Sequence, residues 1–151
     1  MRTYLVVIDE TEEARVALRF AARRAAKTGG AVDILVMVPR PEFVQWGGVQ
    51  AAMEEEARLR AEALIAQVVG ELLDETGLRP SIAFAHGDPA GAVRKTLGEN
   101  PEIAALVLGA AAAGAPGPLV AHFTGSGAGT LPCPVMIIPG SLTSEALDRL
   151  S

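Results

Sequence analysis

The sequence predicts a doubly wound α/β domain built on a parallel sheet. Three observations carry the prediction: short apolar runs rich in β-branched residues, helix-patterned stretches between them, and glycine or proline at the junctions. Strand and helix alternate through five strands, a pattern whose crossovers are right-handed. The 151 residues, half of them hydrophobic in type, suit one domain with a core on both sides of its sheet. We assign residues 1–140 to that domain and 141–151 to a C-terminal tail.

Thr3 to Asp9, "TYLVVID", lacks alternation, as a strand covered on both faces does. The next segment places Ala14, Ala17, Leu18, Ala21 and Ala25 on one helical stripe, starting at Thr11 or Glu12 and stopping at Gly29. Arg15, Arg19 and Arg23 share its outer face, read as solvated. The second strand is Ala31 to Val38. Arg40 to Gly48, with its proline, glycine and aromatic content, reads as a loop or lid in which Trp46 or Phe43 either stacks on a base or packs against the next helix. That helix runs from about Val49 to Glu75, with Met53, Ala57, Leu64, Val68 and Leu72 inward. "SIAFA" is the third strand. Asp88 followed by Pro89 is a helix start, and His86 falls in the turn before it. "EIAALVLG", ending at Gly109, is the fourth strand, and Val135 to Gly140 the fifth. The tail forms one helical turn or two, with Leu142, Leu147 and Leu150 apolar.

A formal charge of −5 and a pI near 5.0 argue against a surface built for nucleic acid or anionic lipid. The single cysteine, Cys133, permits no intrachain disulfide; between Pro132 and Pro134 it reads as a buried structural thiol. The N-terminus shows neither a signal peptide nor a span, and the expectation is a soluble cytoplasmic protein.

"HFTGSGAGT", His122 to Thr130, has the look of a phosphate loop. A parallel crossover, however, must return along roughly 17 Å of sheet, which at about 1.5 Å per residue takes around eleven helical residues. Starting at Pro118, with Gly117 before it, a helix meets that length by Thr130, and the glycines then fall inside a thin helix that packs closely. An anion site would move to "GAAAAGAPG", Gly109 to Gly117, with Ala110, Gly114 and Gly117 lending main-chain donors at a helix start. No lysine or arginine lies between Lys95 and Arg149, so His122 is the one local side chain able to carry compensating charge. A triphosphate there would depend on main-chain donors and a metal.

"VVIDETEEARVALRFA", "LVMV", "GDPAGAV", "LVLGA" and "PCPVMIIPG", in that order and spacing, resemble the universal stress protein family over essentially the whole chain. The resemblance implies a Rossmann-like, adenine nucleotide alpha hydrolase-like three-layer sandwich: a five-stranded parallel sheet of order 3-2-1-4-5 with helices on both faces. It implies a homodimer through the last strand, here Val135, Met136, Ile137 and Ile138. Nucleotide-binding members carry an aspartate where Asp9 stands, meet adenine at the end of the second strand, here Val38, and hold phosphates with G-x-x-G, nine residues, then G-S or G-T. The implied ligand is ATP or AMP with Mg.

Gly109 fits the first glycine, but Gly114 comes one residue late, and the final pair falls either on Ala121 and His122 or, too far on, at Gly125 and Ser126. Asp9 has a second reading, as a helix cap or turn residue. Two functions therefore stand: a stress-type regulatory dimer holding an adenine nucleotide at Asp9, Val38, Gly109, Ala110, Gly114, Gly117 and His122, or a dimer acting through protein contacts without ligand. Catalysis has least support, at most weak ATP hydrolysis, since no nucleophile elbow, P-loop lysine motif or paired metal-ligand histidines occur.

Overall fold

The computed structural model describes residues 2–39 and 47–151. Its elements are β1 (Thr3–Ile8), α1 (Glu12–Thr28), β2 (Ala31–Met37), α2 (Gly47–Thr76), β3 (Ser81–Ala85), α3 (Pro89–Glu99), β4 (Ile103–Ala110), α4 (Pro118–Thr124), β5 (Val135–Pro139) and α5 (Ser144–Leu150). All five strands run parallel in the order β3-β2-β1-β4-β5. The predicted loop or lid, Arg40 to Gly48 with Phe43 and Trp46, lies outside the described residues except at Gly47 and Gly48, which open α2.

Helix starts follow local chemistry. Thr11 caps α1 by accepting from the Ala14 N–H, Asp88 caps α3 by accepting from Gly91, and Pro89 occupies the first helical position where its missing N–H is harmless. Gly29 closes α1 in the left-handed conformation. Alternate residues of the central strands feed two cores. Val6, Ile8, Ile34, Val36 and Val107 lie under α1 and α2; Leu5, Val7, Leu35, Leu106 and Leu108 lie under α3 and α4. In α2 the buried residues are Ala57, Ala61, Ile65, Val68 and Leu72, while Met53 and Leu64 are half-buried.

The predicted solvated face of α1 is instead half-buried. Arg23 pairs with Asp148 at 3.1 Å and donates to the Ser144 carbonyl, and Lys27 donates to the Asp148 carbonyl and to Ser151 Oγ. These contacts hold α5 on α1. Leu147 is only 1% exposed, so the C-terminal segment completes the core, whereas Leu150 faces outward.

The crossover into β5 departs from the single helix expected over Pro118 to Thr130. α4 has seven residues, a turn covers 125–127, and one 3₁₀ turn, Ala128–Thr130, follows. Successive glycines gain too little from helical order to sustain it. The His122 carbonyl accepts from both the Gly125 and Gly127 N–H groups and ends the helix. The steeper rise of the 3₁₀ turn, about 2.0 Å per residue, helps cover the span that the shorter helix leaves.

Candidate functional site

β1 and β4 are neighbours whose following helices, α1 and α4, pack on opposite faces of the sheet, so a crevice opens beyond their carboxyl ends. It encloses about 120 Å³, and its walls include Val7, Asp9, Thr11, Glu13, Gly109 and Gly117. A shallower recess of about 320 Å³ shares Asp9, Thr11, Met37 and Pro89 with it and extends to Val38.

Asp9 follows β1 directly and makes a tight turn: its Oδ1 accepts from the Thr11 N–H at 2.9 Å and from the Thr11 hydroxyl at 2.5 Å. Thr11 in turn caps α1. The carboxylate is thus oriented by the chain on the crevice wall. Val38 donates its N–H to the Ala85 carbonyl, so its own carbonyl is the group it can offer a ligand.

Gly109 stands where α1 crosses β4. An added β-carbon would sit 2.0 Å from the Glu13 carbonyl oxygen, so only glycine admits the helix at this distance. Ala110 accepts from Gly140, and Ala111 donates to Pro116, closing the loop onto itself. Gly114, with φ 74°, is exposed and outside the crevice walls, while Gly117, with φ 113°, precedes α4 on the wall.

His122 also lies outside the crevice. Its ring meets Phe123 edge-on at 4.8 Å and covers Gly127, where an added β-carbon would stand 2.6 Å from Nε2. The positive charge missing from this stretch of sequence arrives from α3. Arg94 donates to the Gly127 carbonyl at 2.9 Å and to Thr130 Oγ1 at 3.2 Å, and its guanidinium lies 5.5 Å from the Phe123 ring centre. Nothing in local composition discloses that long-range contact. The Gly125, Gly127 and Ala128 N–H groups are bonded within the segment and so are not offered to an anion.

Among the described residues lining the crevice, the charged side chains are Asp9 and Glu13, both acidic. Each competes with a phosphate for the positive end of α1. The apolar walls and the oriented Asp9 fit a nucleoside, whereas no cationic side chain lines the crevice among the described residues to neutralise a triphosphate. No helix is long and apolar enough to cross a membrane among the described residues.

The model of the universal stress protein family matches residues 1–139. The chain belongs to that family. Universal stress proteins of known structure share its architecture. UspA from Lactobacillus plantarum superposes with a TM-score of 0.75 at 18% identity, covering 91% of this chain and 97% of the other. An Arabidopsis thaliana universal stress protein family member with AMP bound gives a TM-score of 0.59 at 13% identity, with 96% and 94% covered. The Archaeoglobus fulgidus protein in complex with dAMP gives 0.54 at 16%, with 91% and 97% covered. No curated protein matches the chain. At these identities the universal stress protein likeness establishes the fold, the five-stranded order 3-2-1-4-5 included.

Proposed function

We propose that the protein is a small cytoplasmic regulator of the stress type whose crevice holds the adenosine part of an adenine nucleotide, AMP or ATP. Asp9 accepts from the ribose hydroxyls, the Val38 carbonyl accepts from the base, and Gly109 and Gly117 let the ligand approach the backbone. The observation that carries this reading is the crevice beyond β1 and β4, with an oriented carboxylate on its wall and a recess leading to Val38. The relatives that hold AMP and dAMP support it. We place Ala110, Gly114 and His122 outside the contacts with the ligand.

A second reading, a dimer that acts through protein contacts without ligand, draws support from the Asp9–Thr11 turn, which gives the carboxylate a structural role of its own. The two separate in one experiment. Small molecules released from the purified protein are identified by mass spectrometry, and thermal shifts are measured with adenosine, AMP and ATP. Under the first reading adenosine and AMP stabilise the protein at least as well as ATP, and Asp9→Ala weakens the response about tenfold, the loss expected for a charge-assisted hydrogen bond. An empty protein with no shift for any of the three favours the second.

A further inference from the structure

α2 has two apolar faces. The inner one, Ala57, Ala61, Ile65, Val68 and Leu72, covers the sheet and α1. On the opposite side Leu59, Ala63, Ala66, Gly70 and Leu73 form a second seam, all exposed, with Leu59 at 51% and Leu73 at 37%. Its spacing alternates four and three residues, the period at which one helix keeps a seam against another. A helix that needed only to cover its own sheet would carry polar residues here.

The pattern also says what fits. Set a second copy of the helix antiparallel on this face, in the register that places Ala66 against the partner's Gly70. Leu73 then enters the space over the partner's Ala63, and the reciprocal contacts follow by two-fold symmetry. Leu73 thus meets a small residue, and Ala66 meets Gly70, so the two backbones can approach closely. On one flank of the seam stand Arg60, Gln67 and Asp74, and in the same register Arg60 lies opposite the partner's Asp74, twice, and Gln67 opposite its own copy. On the other flank Val69 meets its own copy and Glu62 meets the partner's Thr76. No like charges are opposed. Arg60 is 3.8 Å from Glu10 and stays exposed, which leaves it able to reach across.

We propose that this face of α2 is an isologous interface, an antiparallel helix pair between two copies of this chain. α2 packs on α1 and β2 through its opposite face, and both of its faces lie away from β5 at the far edge of the sheet. Where β5 also pairs, the α2 seam joins such dimers into a larger assembly, a closed tetramer when the two two-fold axes cross at right angles.

Light scattering on the full chain tests it. Leu73→Glu, at an exposed position, is expected to halve the mass while circular dichroism stays native. Arg60→Asp alone and Asp74→Arg alone each shift the equilibrium toward the smaller species, and the double variant Arg60→Asp with Asp74→Arg restores the larger one. A chain already monomeric at high concentration, a mass indifferent to Leu73→Glu, or a double variant that fails to recover the assembly would each overturn the proposal. The last outcome would point to a partner other than a second copy.

Discussion

Gly109 shows how one atom decides a position. Its missing β-carbon leaves room for the Glu13 carbonyl, and the same absence opens the crevice wall. Gly109→Ala forces α1 off β4, and we expect a loss of about 1–3 kcal/mol in urea denaturation, the usual range for overpacking. Asp33 gives a pH-dependent prediction. Burial first, and Glu102 second, push its carboxyl above the usual value of 3.8. With the folded pKa above the unfolded one, the folded chain binds the proton more tightly between the two values. Stability is therefore fullest below the unfolded pKa and falls as pH rises through the folded one. Asp33→Asn should raise the melting temperature at about pH 7 and leave it nearly unchanged at about pH 3. A gain of equal size at both would exclude ionisation as the cause. Asp9 was legible as a site candidate through the family resemblance, but its bond to Thr11, a helix-start residue in the sequence, was not, because a turn bond two residues long leaves no periodic trace.

At the scale of elements, strands and helix starts were readable because each depends on neighbours in sequence: β-branched runs, Asp88 before Pro89, Thr11 before Glu12. The crossover into β5 was not. Its glycines could have been drawn into a helix by packing; instead the His122 carbonyl and Arg94 fix them in a turn. The two glycines differ sharply in surroundings. Gly127 is covered by the His122 ring, while nothing stands within 4 Å of a β-carbon at Gly129. Gly127→Ala should thus destabilise the fold by more than about 1 kcal/mol, and Gly129→Ala should stay within about 0.5 kcal/mol, both read from denaturant midpoints. Equal effects would mean that the ring does not hold the turn.

For the whole molecule, β5 is the sheet edge through which we propose that the protein dimerises. Ile138 of that strand is 4% exposed and belongs to the core, so a charge there reports on folding. The ladder offers a cleaner probe. Leu106 donates to the Pro134 carbonyl and Gly140 to the Ala110 carbonyl, so even-numbered residues of β5 turn toward β4 and the Ile137 N–H faces outward. Ile137→Pro removes that outward donor and spares the internal ladder; we expect the mass from light scattering to fall by half with native circular dichroism. An unchanged mass would take β5 out of the interface.

By itself the sequence determined the alternation of strands and helices, their caps, and the family pattern that runs through them, since all of these are local or periodic and need no partner to be expressed. Tertiary structure alone decided which side of α1 receives the C-terminal helix, that Arg94 supplies the charge lacking after Lys95, and that the glycine-rich segment bends around His122. Those outcomes rest on contacts between residues far apart in the chain, and their energies exist only once the sheet has brought the partners together.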